Sequence, residues 1–206
     1  MLFEKLATEW AEALSRSVNE TDNYKIDLVR YVFEALLSML LSVVVLSVFA
    51  ATFGILKTAL LIALVGAVVK SFTGGLHLST PLRCAAAGGV IILIVSHLSI
   101  YFPFSTIPVP FRFLFLIFIN IIVWLKAPRE TPEKPLNDRN KTVLTVLSRL
   151  IIIVISLICL TFPEKRGINE LFYGTFFQVL NLLEVSAMGI KKVDKLLGHI
   201  EKNPIF

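Results

Sequence analysis

The chain has 206 residues, 56% of them hydrophobic, with 20 Lys and Arg against 15 Asp and Glu for a formal charge of +5. With a mean hydropathy of +0.80 it is too apolar for an ordinary soluble domain, which leaves an integral membrane protein. The basic residues flank the apolar runs, so the positive charge points to membrane topology and not to nucleic acid. Only two cysteines are present, Cys84 and Cys159, and their separation makes a disulfide unexpected.

Residues 1–23 lack a continuous apolar core and carry several acids, so no signal peptide is expected there. They predict an amphipathic helix with Leu2, Phe3, Leu6, Trp10, Ala13 and Leu14 on one face. Glu4, Lys5, Glu9, Glu12 and Arg16 form the other. Such a helix lies in the lipid interface or packs on the protein's own cytoplasmic loops, and the pattern does not choose between the two. Six apolar runs follow: Val29 to Phe49, Ile55 to Val69, Ala85 to Phe102, Pro110 to Leu125, Val143 to Phe162 and Asn169 to Ile190. The second and fourth are short for the roughly 17 to 25 residues a span needs, which suggests little tilt or a partly re-entrant course. The expected fold is therefore all-α, a single membrane domain over 1–206 with about six spans, an N-terminal amphipathic helix and a broken or re-entrant segment at 70–84.

With the N-terminus inside, sixteen of the twenty basic residues fall on the cytoplasmic side. Only Lys57, Arg112, Lys165 and Arg166 fall outside. The bias places both termini, and the segment around His77 and Cys84, in the cytoplasm of a multi-pass cell-membrane protein. Residues 126–142 form the longest polar stretch, with Pro128, Pro132 and Pro135 among alternating charges, and predict an extended surface loop. Ala85-Ala86-Ala87-Gly88-Gly89 supplies small side chains for close helix contact.

The chemistry-bearing stretch runs from Lys70 to Cys84. On one unbroken helix His77 and Cys84 would stand roughly 10 Å apart along the axis, too far for proton transfer. Gly74-Gly75 and Pro81 argue for a break between them. Thr80 then serves as N-cap with Pro81 at the first helical position, which sets Cys84 in the first turn. There the helix dipole and Arg83 would favour a thiolate. His77, on the other limb, could accept the thiol proton and later protonate a leaving amine, and free amides at the helix start could hold an oxyanion. The alternative is that Cys84 is a small buried hydrophobe and His77 an interfacial polar residue. Lys70, before the Gly-Gly pair, is either a topological anchor or a contact for a substrate carboxylate or oxyanion. Lys126, Arg129 and Lys134, with Arg139 and Lys141, could attract an acidic peptide tail, or they could express topology alone, since Glu130, Glu133 and Asp138 dilute the loop's field. No ligand spacing suggests a metal, and no cofactor is expected.

Gly74-Gly75-Leu76-His77, with Cys84 seven residues beyond the histidine, resembles the signature of the accessory gene regulator B (AgrB) family. These are membrane cysteine endopeptidases of Gram-positive quorum sensing. A second segment, Ala127-Pro128-Arg129-Glu130-Thr131-Pro132-Glu133-Lys134-Pro135-Leu136, resembles that family's loop after the fourth span. The resemblance implies that Cys84 is the nucleophile and His77 its base. It implies as partner an AgrD-like propeptide with an amphipathic leader, a central segment with an internal Cys or Ser, and an acidic tail whose removal gives a thiolactone or lactone ring. A homodimer in membrane lipid is also implied. A peptide transporter or a noncatalytic scaffold is the competing class; both predict that Cys84→Ala leaves function intact.

Overall fold

A computed structural model describes residues 2–17, 22–75, 80–130, 137–186, 188, 189, 192, 194 and 195. The fold is all-α: α1 (Leu2–Ser17), α2 (Asn23–Thr52), α3 (Leu56–Thr73), α4 (Pro81–Tyr101), α5 (Val109–Lys126), α6 (Asp138–Thr161) and α7 (Ile168–Leu180), with a 3-10 turn at Phe104–Thr106. Among the described residues the one ladder-type contact is an isolated bridge between Gly74 and Arg129.

Four helices, α3 to α6, are long and apolar enough to cross a membrane, and α2 contributes the shorter apolar stretch Leu36–Thr52. Their outer faces carry large apolar side chains such as Leu40, Val44, Phe113, Leu114, Trp124 and Leu157. A surface of that kind suits lipid tails, and helices satisfy their backbone groups internally, as a bilayer demands. The chain is a multi-pass membrane protein. The two runs that looked short are full helices of 18 residues each, because α3 continues to Thr73 and α5 starts at Val109.

The sixth run departs from expectation. Asn169 to Ile190 is not one helix: α7 has 13 residues, about 20 Å of rise, and the chain turns at Asn181–Leu183 before helix resumes at 184–186. Its buried face explains how so short a helix is held. Phe172 packs at a tilt against Phe104 and stacks on Phe176, at centroid distances of 4.5 and 5.7 Å, and Phe115 meets both Phe172 and Phe176 edge-on. Ile168, Phe172, Val179 and Leu182 join α3, α5 and α6 residues in the main core. The closest approach is at Gly174, where a Cβ would lie 2.9 Å from the Ile62 carbonyl oxygen and 2.9 Å from Val65 side-chain atoms. Only a residue without a side chain lets α7 seat this close to α3.

The N-terminal helix packs on α2. It buries Ala7, Ala11 and Ser15, spaced four apart, and leaves Trp10 and Leu14 48% and 45% exposed. The face turned inward is thus the small one, not the bulky apolar one, since small side chains allow two helices to approach. Trp10 is tied at its edge to Phe33 of α2, 5.5 Å between centroids.

The expected outer cations, Lys57, Arg112, Lys165 and Arg166, lie at the start of α3, the start of α5 and between α6 and α7. The opposite end of the bundle collects the end of α3, the start of α4, the loop after α5 and the end of α7. The candidate site is there.

Candidate functional site

Helix α3 stops because Gly74 takes φ +70° and Gly75 φ +153°, angles that side-chain-bearing residues rarely adopt. The break that the two glycines and Pro81 predict is therefore present between α3 and α4. His77, within the stretch 76–79, lies outside the described residues, as does Lys134.

On the far side of the break, Thr80 is the N-cap of α4. Its extended backbone turns the chain, its Oγ1 accepts from the Arg83 N–H at 3.3 Å, and Pro81 follows in the first turn. Cys84 closes that turn, its N–H donating to the Thr80 carbonyl at 3.0 Å. The thiol takes part in no disulfide and is half-buried. The amides of Arg83 and Cys84 are thus engaged in the cap and are not free oxyanion donors, a restriction the sequence does not reveal.

The structure also reassigns the neighbouring cations. Arg83 Nη1 donates to Asp194 Oδ1 at 3.2 Å and to the Asp194 carbonyl at 3.4 Å. This ion pair ties the start of α4 to the segment after α7. Lys70, in the last turn of α3, lies within electrostatic reach of Cys84. Its Cε would be 3.3 Å from a Cβ on Gly75, so its stem runs along the glycine turn.

Gly74 is held from two sides. The Arg129 N–H donates to the Thr73 carbonyl at 2.9 Å, and the Arg129 backbone fills the space a Cβ on Gly74 would need. From α7, Gln178 Nε2 donates to the Gly74 carbonyl at 3.0 Å. Thr73, fully buried, donates from Oγ1 to the Val69 carbonyl at 3.0 Å. Arg129 Nη1 in turn donates to the Leu182 and Leu183 carbonyls, just beyond the end of α7, at 2.7 and 3.4 Å. One residue thereby ties the loop after α5 to both α3 and α7.

Two further cations of this loop region have intramolecular partners. Lys126 Nζ contacts Glu184 Oε1 at 2.7 Å and Lys141 Nζ contacts Glu130 Oε1 at 2.7 Å. The Lys126 hydrogen bond holds the Glu184 carboxyl below the usual carboxylate range. Of the residues singled out in sequence, the structure gathers Lys70, Gly74, Gly75, Thr80, Pro81, Arg83, Cys84 and Arg129 at one end of the bundle, with Lys126 at its edge. It adds Gln178, Asn181 and Asp194, which the sequence reading passed over. The signal that could have found Gln178 is a lone amide on the apolar second half of α7, because a polar side chain buried among membrane helices demands a partner.

A family model described as Accessory gene regulator B matches residues 7–182. AgrB-like protein 2 of Clostridium perfringens (strain 13 / Type A) is 22% identical, the alignment covering 97% of this chain and 100% of that protein. No solved structure gives a significant match.

Proposed function

From the chain's membership of the accessory gene regulator B family, which places it in quorum-sensing propeptide processing, we propose that it is a cysteine endopeptidase acting on an AgrD-like propeptide. The observation that carries the reading is Cys84, fixed in the first turn of a capped helix directly across a glycine-ended break from α3. A thiol presented at a helix start beside a chain break is placed to attack a peptide carbonyl.

In this reading the Cys84 thiolate adds to the carbonyl of the peptide bond before the acidic tail. The C–N bond breaks, the tail leaves as an amine that takes up the proton held by His77, and a thioester to Cys84 remains. The propeptide's own thiol or hydroxyl then adds to that thioester, gives up its proton to His77, and expels the Cys84 thiolate as the ring closes. No oxidant or metal enters the balance. Lys70 serves as counter-charge to the thiolate and to the tetrahedral oxyanion. A site between the α3 and α4 ends is shielded from water on the membrane side, which protects the thioester from hydrolysis to a linear product. Turning an amide into a thioester is uphill, so release of the tail drives the reaction. The reading keeps both termini and the site in the cytoplasm, the lipid-facing helices in the cell membrane, and the chain as a homodimer. Arg83, Lys126 and Arg129 have intramolecular partners.

The test is mass spectrometry of a synthetic propeptide, with an internal cysteine and an acidic tail, incubated with the protein in lipid nanodiscs. Wild type is expected to remove the tail and to show a covalent adduct on Cys84, and Cys84→Ala and His77→Ala to do neither. Equal processing by wild type and Cys84→Ala would refute the assignment.

A further inference from the structure

Gln178 is only 5% exposed in the last turn of α7. A carboxamide buried at that depth costs free energy unless its groups are hydrogen-bonded. Its Nε2 answers the Gly74 carbonyl at 3.0 Å. The next residue is enclosed by the same group: a Cβ on Gly75 would lie 3.1 Å from Gln178 Nε2, 3.3 Å from Lys70 Cε and 3.7 Å from Asn181 Nδ2. Gln178 and the Lys70 stem therefore both border the Gly74–Gly75 turn, across the helix break from Cys84 in the first turn of α4.

We infer that Gln178 is a positioning residue: by donating to the Gly74 carbonyl it fixes the glycine turn against which Lys70 rests, and so holds the ammonium toward Cys84. The inference rests on Cys84 being the nucleophile. Gln178 touches neither the thiol nor the reacting carbonyl. Two glycines in sequence have the widest conformational freedom of any dipeptide, so this turn needs bonds from other elements to keep one shape. Arg129 supplies a backbone bond next to Gly74; the Gly74 carbonyl itself accepts from Thr73 Oγ1 within α3 at 3.2 Å and, from another helix, from Gln178. Loss of the Gln178 bond leaves α3 and α4 folded, while Lys70 loses its fixed direction. Turnover then falls and substrate affinity does not.

The experiment compares wild type, Gln178→Met, Gln178→Glu and Cys84→Ala in nanodiscs, using the synthetic propeptide described above. Methionine keeps the volume without a donor. Glutamate keeps the shape and donates only when protonated. At pH 7 both Gln178 variants are expected to lose roughly tenfold in kcat, the equivalent of one neutral hydrogen bond, with KM within about twofold of wild type. The kcat of Gln178→Glu relative to wild type at the same pH should recover as the pH falls, because only the protonated carboxyl can donate to Gly74. A packing role alone would leave Gln178→Glu like wild type and its ratio flat with pH, which overturns the inference. Independently of any substrate, hydrogen exchange in peptides covering Lys70 to Gly75 should quicken in whichever of the two variants elutes from size exclusion as wild type does. Unchanged exchange overturns the clamp. Equal inertness of wild type and Cys84→Ala, with quickened exchange in the variants, would instead sink the nucleophile assignment and leave the clamp standing.

Discussion

Alanine at Gly174 places a methyl group where α7 meets α3. The new Cβ would stand 2.9 Å from the Ile62 carbonyl oxygen and 2.9 Å from both Cβ and Cγ1 of Val65, several tenths of an ångström inside normal contact. Neither neighbour yields cheaply: one is helix backbone and the other a β-branched side chain with a stiff χ1. Overpacking of this kind costs about 1–3 kcal/mol, and alanine's better helix propensity returns about 0.8–1 kcal/mol. The expected net loss is up to about 2 kcal/mol. Gly66 is the control on the facing helix, since its Cβ would meet the Gly174 carbonyl oxygen at 3.8 Å, an ordinary contact. Gly66→Ala should therefore be neutral or stabilise by up to about 0.8 kcal/mol. Cys159, fully buried in α6, provides the assay: in a Cys84→Ala background, a thiol-reactive dye reports unfolding on heating in detergent. Gly174→Ala should lower the midpoint and Gly66→Ala should not. A Gly174→Ala midpoint at or above the background, or equal losses for both, would refute the close-approach argument.

Removing the helix cap by Thr80→Ala should cost about 1 kcal/mol and speed amide exchange in the first turn of α4, while Thr80→Ser restores protection; equal exchange in all three would contradict the cap. Asn120 donates from α5 to Ser156 of α6 at 2.9 Å, so a double-mutant cycle of Asn120→Leu and Ser156→Ala should give a coupling of about 0.6 kcal/mol, and zero coupling would remove the bond's contribution. Glu184 has a carboxyl pKa lowered in the folded state by Lys126, so its stabilising effect is present above the unfolded carboxylate pKa and fades as pH falls through the folded one. Because the pair is exposed, Glu184→Gln should shift the unfolding midpoint at pH 7 only slightly, and the gap to wild type should close in acid; a gap widening in acid would reverse the sign of the argument.

The membrane class, the helical fold and the break before Cys84 were legible in the sequence because each rests on local physics. Apolar runs of spanning length exclude water, Gly-Gly ends one helix, and Thr-Pro starts the next. Spacing alone also put Cys84 in the first turn. The fate of the charges was not legible. Arg83, next to the thiol in the chain, turns to Asp194, while Lys70, fourteen positions back, comes within reach of it. Side-chain direction across a helix break depends on what packs against it, and sequence distance says nothing about that. The sixth span failed for a related reason: hydropathy registers that α7 and its extension are apolar, but not that Asn181 to Leu183 turn, with Arg129 holding the carbonyls there. Likewise the apolar pattern of α1 named the bulky face, whereas packing on α2 selected Ala7, Ala11 and Ser15. The sequence by itself determined which segments are helices in lipid and where the nucleophile candidate sits on its helix. Only the tertiary structure decided which polar groups meet across helices, because those pairings depend on close approach between segments far apart in the chain.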